Sequence, residues 1–494
     1  MKIFKVFQLT TFVFILVAPI LLSAASDHGS ISGASNALSG SYEIGGGGAD
    51  FVDLEAAVSK ILNVGMDAPV VFNLKPGTYN THVIITHITR HGQYNDWLTI
   101  QSEDPNNPAV LQHDASSSNE NWLIRFDGTK FITLQNLILE AVGVDDFTTV
   151  ISLENNSSYI DIINNEINGY AISNAAPDAA GYLLVNQADT YLNNILIYDN
   201  EFNGGNGAIK LEGNPTGYIS GVSVIGNDFN NQTALGSFYA LTLYKVKNLT
   251  ILSNQIMSNA YNAGGMRLFR VDEAVVAANR ITMLGAGSGG VGLSLSNTNR
   301  GLNETIVVKN NFILASHSPL EIQGNNTRNI SVFHNTLMAD GIVAANTFPA
   351  PLSVDASTEN IIIQNNILTS LQTDDSAFAM IIEESGTVTL SDNNIFYHAS
   401  LNEFLIDGVA YANLIDYQNG TGMDSDSSHE RIQFVDEAIG DFHLTSAQYQ
   451  NPTLLTQPIA GVDDDIDGEL RSDTTPLKGA DDLDADVIFV HGFE

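Results

Sequence analysis

The chain has 494 residues, 44% of them hydrophobic, with 41 glycines and no cysteine. That composition is enough for a large core and excludes bulk disorder, a disulfide framework and thiol chemistry. A formal net charge of −37, from 56 acidic and 19 basic residues, excludes a nucleic-acid binder and repels anionic lipid.

Residues 1–25 carry Lys2 and Lys5, the apolar run Phe12 to Leu22, then Ser23-Ala24-Ala25, the layout of a secretory signal. The run contains Pro19 and is too short to span a bilayer, and no later stretch is long enough. The expected product is exported, of bacterial type and without a transmembrane span. Loss of the two signal lysines from 19 basic residues leaves 17 against 56 acidic, a net charge of −39. Residues 26–48 are rich in Ser, Gly and Ala and read as a flexible linker. From Asp50, apolar residues at positions 51, 54, 57, 58, 61 and 62 keep a helical period, and Pro69 to Tyr79 reads as a strand ending in Pro-Gly-Thr-Tyr.

Between Leu134 and Phe396 one phrase recurs: two or three β-branched or Leu positions, a polar residue, Asn, one variable residue, then Ile, Leu or Phe. Its asparagines are Asn136, Asn165, Asn200, Asn227, Asn254, Asn279, Asn310, Asn335, Asn365 and Asn393. The phrases are too short for helices and rich in strand formers. Asn tolerates the left-handed backbone of a sharp corner, and stacked asparagines bond amide to amide. The expected fold is all-β: a right-handed parallel β-helix, a solenoid of stacked turns, with an N-terminal capping helix. The capped coil spans 49–398, closing turns and a cap span 399–480, and an acidic tail with a short apolar end spans 481–494.

This repeat, entered through a helix and a Pro-Gly-Thr-Tyr strand, resembles the right-handed parallel β-helix of the pectate-lyase-like superfamily in its secreted bacterial form. That fold hosts lyases, hydrolases, esterases, tailspikes and adhesins, so the resemblance implies an architecture and leaves the activity open.

Ahead of each Asn phrase lies another strand, such as Ile124 to Asp127, Ile151 to Glu154, Leu183 to Asn186 and Ile209 to Glu212. First and third members are apolar and point inward, so second and fourth point outward. One outward column reads Arg125, Ser152, Leu184, Lys210, Thr242, Arg267, Ser294, Glu321, Ser353. The other reads Asp127, Glu154, Asn186, Glu212, Tyr244, Phe269, Ser296, Gln323, Asp355. At about 4.8 Å per turn these make a face roughly 40 Å long. Scarce cations beside carboxylates and exposed aromatics suit an extended polysaccharide, with Arg125, Asp127, Glu154, Tyr244 and Phe269 as substrate-binding residues. The competing reading is a solvated sheet in which Arg125 pairs with Asp127 or Glu154, and Lys210 with Glu212.

In lyases of the superfamily it resembles, Ca²⁺ held by carboxylates neutralises a uronate while an Arg or Lys removes the neighbouring proton. The resemblance implies Ca²⁺ on Glu154, Asn186 and Glu212, with Lys210 or Arg267 as the catalytic base. The RxPxxR and WxDH segments of pectate lyases are absent, as are the NTD, GHG and RIK set of polygalacturonases and the GxxDFxFG segment of esterases. Whether the chain is an enzyme therefore stays open, with a polysaccharide lyase favoured over a glycoside hydrolase. The alternative is a non-catalytic cell-surface structural or adhesive module.

Past Phe396 the asparagine spacing lapses. The stretch Asp463 to Arg471 and the following Gly479-Ala-Asp481 are similar to the closing segment of secreted bacterial β-helix proteins. Asp463, Asp465 and Asp467 have part of a Ca²⁺-loop spacing without its Glu at the twelfth position, so a cap in which Arg471 ties down the loop is favoured over calcium. Val487 to Glu494 resembles the short tails of exported proteobacterial proteins. The expectation is a secreted or surface-bound monomer that engages an extracellular polysaccharide, with Ca²⁺ its candidate cofactor.

Overall fold

The computed structural model describes residues 36–482 except 144–146, 171–180, 188–189, 231–237, 261–262, 286–289, 300, 302–303, 342–346 and 401. The signal-like start and the end of the tail lie outside the described residues.

Each turn of the chain lays down three short strands, and the stacked turns make three sheets of 13 strands. In chain order, sheet I holds Ile124–Asp127, sheet II Lys130–Gln135 and sheet III Ile138–Ala141. Each strand pairs in parallel with its counterpart one turn on, Ile124 with Ile151 and Ile132 with Ile160. Alternation then sends Phe126, Leu134 and Leu139 inward to full burial, in a core continuous from Leu38 to Tyr417. The molecule is the parallel β-solenoid expected from the repeat.

At the start, Leu38–Ile44 departs from the linker expected of its Ser and Gly content: it is the first strand of sheet II, paired with Met66–Leu74. Helix α1 (Leu54–Val64) follows where a cap was expected. Asp53 caps it by accepting the Ala56 N–H at 2.8 Å, and Leu54, Ala57, Val58 and Ile61 enter the core.

The corner between sheets II and III corrects the asparagine assignment. Two adjacent positions divide its work. Asn136, Asn164, Asp199, Gly226, Ser253, Ala278, Asn310, His334, Asn365 and Asn393 take the left-handed backbone. The residue after each one points inward, and there Asn165, Asn200, Asn227, Asn254, Asn279, Asn311, Asn335, Asn366 and Asn394 form the ladder, each amide nitrogen 2.9–3.1 Å from the next turn's amide oxygen. Asn136, Asn310, Asn365 and Asn393 are therefore corner residues and not ladder residues, and Leu137 holds the ladder position on its turn.

The C-terminal region also differs from a plain run of closing turns. Sheet I ends in Phe404–Ile406 joined to an antiparallel strand, Val409–Tyr411, and helix α2 (Leu414–Thr421) stacks Tyr417 on Phe404 at 4.4 Å. The chain from about Arg431 then doubles back as a strap over the outer face of sheet III. Ile432, Phe434, Phe442, Leu444, Leu454, Ile466 and Leu477 cover Phe312, Leu314, Met338, Ile367 and Ile395 in a second apolar core. Corner residues serve as handholds: Asn310 donates to Asp464 O at 2.7 Å, His334 Nδ1 meets Leu477 O at 3.0 Å, and Asn365 O accepts the Gly479 N–H at 2.8 Å.

One strap contact titrates. His443 sits between Asp441 and Asp467, with Nε2 2.7 Å from Asp467, whose other oxygen takes Arg280 of sheet III at 2.7 Å. The Asp467 bond raises the imidazole to about 9 despite its burial. An unfolded histidine titrates near about 6.5, so this stabilisation is complete below that value and is lost as pH rises through the folded value. Burial lifts nearby Asp481 to about 7, which costs stability as pH climbs toward neutrality. Proteolytic cleavage within the strap is expected to accelerate between neutral pH and about pH 9. In His443→Gln that acceleration should be absent; an equal acceleration in the variant would refute the assignment.

Candidate functional site

The outer face of sheet I carries the expected columns with one shift. Ile151 pairs with Leu184 and Ser152 with Val185, so Leu184 is fully buried, and Val185 and exposed Gln187 take the places assigned to Leu184 and Asn186. The run Tyr182-Leu-Leu-Val hides the register, because each member passes for an inward residue. Asn186 faces the interior: its Nδ2 donates to Thr190 Oγ1 and to the carbonyls of Gln187 and Glu212, and its Oδ1 accepts the Glu212 N–H at 2.6 Å.

Arg125, Lys210 and Arg267 do share one outward column. Each lies over an aromatic ring at the sheet III margin of the sheet: Arg125 over Trp122 at 4.2 Å, Lys210 over Tyr182 at 6.0 Å, Arg267 over Tyr239 at 5.8 Å. The tyrosines alternate with glycine on successive turns, Tyr182, Gly207, Tyr239, Gly264. Each ring lies across the next glycine, where an added Cβ would come within 2.3 Å of a ring carbon. The Tyr182 hydroxyl reaches Thr242 Oγ1 at 3.0 Å.

Of the surface pairs weighed from the sequence, Arg125 approaches Glu154 at 3.8 Å. Lys210 and Arg267 form no ion pair with a described residue. Asp127 accepts the Asn155 amide at 2.6 Å, and Glu154 accepts the Ser152 hydroxyl at 3.0 Å. At the sheet II margin Tyr244 and Phe269 stack at 5.3 Å, and Arg270 donates to the Tyr244 hydroxyl at 2.9 Å.

Two turns beyond Arg267 in the same column stands Glu321. Burial raises its carboxyl to about 7, against the pull of the Ser318 hydroxyl. His317 lies 4.0 Å away, held toward its neutral form by burial, and Gln323 Nε2 lies 3.4 Å from Glu321 Oε2. Burial, then Glu321, lifts Tyr239 to about 12, so it keeps its proton at neutral pH. The face therefore sets a carboxyl able to exchange a proton near neutrality in the same column as Arg125, Lys210 and Arg267. Tyr182, Tyr239 and the burial of Glu321 were not read from the sequence. The signal for the tyrosines was present: Tyr two residues ahead of an inward Leu, with Gly at the matching place one turn later.

The residues expected to hold Ca²⁺ do not fit it. Asn186 is turned inward with its carboxamide engaged, and Glu154 and Glu212 stand two turns apart, roughly 10 Å. Asp463, Asp465 and Asp467 do not converge either. Asp465 is buried and accepts the N–H groups of Asp467, Glu469 and Asp482, Asp467 pairs with Arg280 and His443, and Asp463 is exposed. Arg471 ties down this loop, as expected, donating to Asp464 O, Leu477 O, Asn310 Oδ1, Gly479 O and Ala480 O at 2.9–3.1 Å.

No protein-family model matches the chain, and no curated protein matches its sequence. Among solved structures it is similar to the pectate lyase Pel9A, at 12% identity and a TM-score of 0.42, over 90% of this chain and 96% of that one. The PL6 family alginate lyase AlyGC is 12% identical with a TM-score of 0.41, over 78% of this chain, which spans 56% of AlyGC. The tailspike protein 3 of bacteriophage CBA120 is 12% identical with a TM-score of 0.31, over 69% of this chain and 55% of that one. At such identities the likeness is one of fold.

Proposed function

We propose that this parallel β-helix binds an extended polysaccharide along the outer face of sheet I. The observation that carries the reading is the pair Lys210 and Arg267. Each is seated over a tyrosine and neither has a carboxylate partner among the described residues, on a chain of net charge −37. A surface that merely neutralised itself would give its few cations to its many carboxylates. Acidic groups on a sugar chain supply the missing counter-charge, while Tyr244 and Phe269 offer ring faces and Asp127 accepts hydroxyls.

Lysis on the same face belongs to this proposal. Lys210 or Arg267, in its neutral form, takes the proton next to a uronate carboxyl, the released electron pair forms a carbon–carbon double bond, and the bond to the glycosidic oxygen breaks. That oxygen regains its proton from water. The proposal places the protein outside the cell or at its surface, where such polymers lie. No helix among the described residues is long and apolar enough to cross a membrane.

The test is electrophoresis through gels containing alginate, polygalacturonate or chondroitin, with ultraviolet absorbance to detect unsaturated products. Wild type should be retarded by at least one polymer, and Lys210→Ala with Arg267→Ala should weaken retention about tenfold or more and abolish any product. Retention without product assigns the face to adhesion. A wild type retarded by none of these polymers would remove the basis of the reading.

A further inference from the structure

We infer that the glycan track continues along the edge where sheet I turns into sheet II, on a file of aromatic rings reaching back to the first turns of the coil. The inference rests on the reading of sheet I and adds a second surface to it. Seven successive connections from sheet I to sheet II carry an aromatic residue, in the connection or beside it, that is at least partly open to solvent. Tyr94, Phe131, Tyr159 and Tyr191 belong to the first four, and Tyr218, Tyr244 and Phe269 to the next three. The four connections after them, 297–305, 324–326, 355–357 and 383–387, contain none. At about 4.8 Å per turn the file is roughly 30 Å long. Its rings are open: Tyr94 is 80% exposed, Tyr191 43% and Tyr159 42%.

Two of these rings stand against a backbone preference. Phe131 and Tyr159 have φ of 59° and 56°. Where the same position on other turns takes the left-handed backbone, it holds Asn194, Gly221, Asn248, Asn329 and Asn360, with Glu273 the other exception. Asn and Gly accept the left-handed region at least cost, whereas a bulky side chain there is strained. Strain held by exposed rings points to a use other than stability. The two rings stack at 4.7 Å and 19°, and Tyr94 and Trp97 meet Phe131 edge-on.

Cations accompany the file at both ends. Arg90 lies over Phe131 at 5.5 Å, its guanidinium fixed by the carbonyls of Ile88, Asp96 and Lys130. Arg270 lies over Phe269 at 5.5 Å and Lys245 over Tyr244 at 5.6 Å. Sugar rings present C–H faces to aromatic rings and hydroxyl or acidic groups to cations at their rims. A protein partner fits less well, because the rings follow one another turn by turn along one edge, interleaved with cations, and do not make the contiguous apolar patch of a protein interface.

The experiment is gel retention on alginate, polygalacturonate and chondroitin by the whole mature chain, paired with thermal melting. In Phe131→Asn with Tyr159→Asn the new residues suit the backbone, so the melting temperature should hold or rise while retention weakens about tenfold or more with Lys210 and Arg267 untouched. Tyr94→Ala, at a ring exposed enough to leave folding alone, should weaken retention about threefold; that loss upholds the inference even if the double variant is unstable. Retention equal to wild type in both the double variant and Tyr94→Ala overturns the inference and leaves the sheet I reading intact. A lowered melting temperature in the double variant together with unchanged retention in Tyr94→Ala makes the rings structural and overturns it equally. A wild type retained by no polymer removes both.

Discussion

Arg471→Ala is expected to detach the C-terminal strap at a cost of about 3–5 kcal/mol, the range for removing one partner from a buried ionic network. The guanidinium is almost wholly enclosed and is the common donor to carbonyls and an amide from five residues, three of them in the final segment. Without it the Asp482 carboxylate, 3.5 Å away, loses the guanidinium while staying buried beside Asp465, and several carbonyls lose their donor. Arg471→Lys should rescue little, because an ammonium cannot reproduce the planar fork. The two tryptophans, Trp97 and Trp122, both lie in early turns, so their fluorescence follows the coil and proteolysis between 430 and 482 follows the strap. The expected result is cleavage of the strap at much lower denaturant, with a smaller change in the fluorescence transition. Cleavage as slow as in wild type would show that the apolar contacts alone hold the strap.

The second large effect separates two neighbouring asparagines. Asn394→Ala is expected to cost about 3 kcal/mol or more, from several buried groups left unpaired. Asn394 Nδ2 donates to Ile363 O and to Asp424 Oδ1, each at 3.0 Å, and its Oδ1 accepts both the N–H and the amide of Asn366. Its loss would also expose the Asp424 carboxylate, already raised by burial, to an environment poorer in donors. Asn393→Ala keeps all of these bonds and costs only the left-handed backbone, about 1–2 kcal/mol. Urea unfolding of the two variants measures the difference; equal losses would mean that the ladder contributes no more than the corner.

Those two residues also show what the sequence could and could not disclose. The period, the strands and the inward alternation of sheet I were legible because each follows from side-chain parity along a repeated strand. The ladder register was legible on turns such as Asn254-Gln-Ile, where the residue between Asn and the inward Ile is polar. It slipped by one at Asn310, Asn365 and Asn393, because the intervening outward residue is apolar there: Phe312, Ile367 and Ile395 lie under the strap. A cover that returns from residues 432–480 leaves no local trace at these strands, so its footprint read as core. The column of cations was legible from parity alone. The rings beneath it were not, since Tyr182 and Tyr239 sit at the turn into the sheet, where alternation breaks down. The calcium sets failed at Asn186 because the apolar run before it hid the strand register and, near Asp465, because spacing cannot tell an ion's ligand from an acceptor of the loop's own N–H groups.

The reversed strand Val409–Tyr411 settles how sheet I comes to an end. Parallel strands present the same unsatisfied edge at every level, so a coil of this kind has no intrinsic last member, and one molecule's terminus is a template for another's beginning. Polarity inverted by a single hairpin removes that match at sheet I: an incoming strand of like direction finds a partner running the wrong way. The short hairpin thus acts as a terminator at the edge of sheet I, where the run of like-directed strands stops.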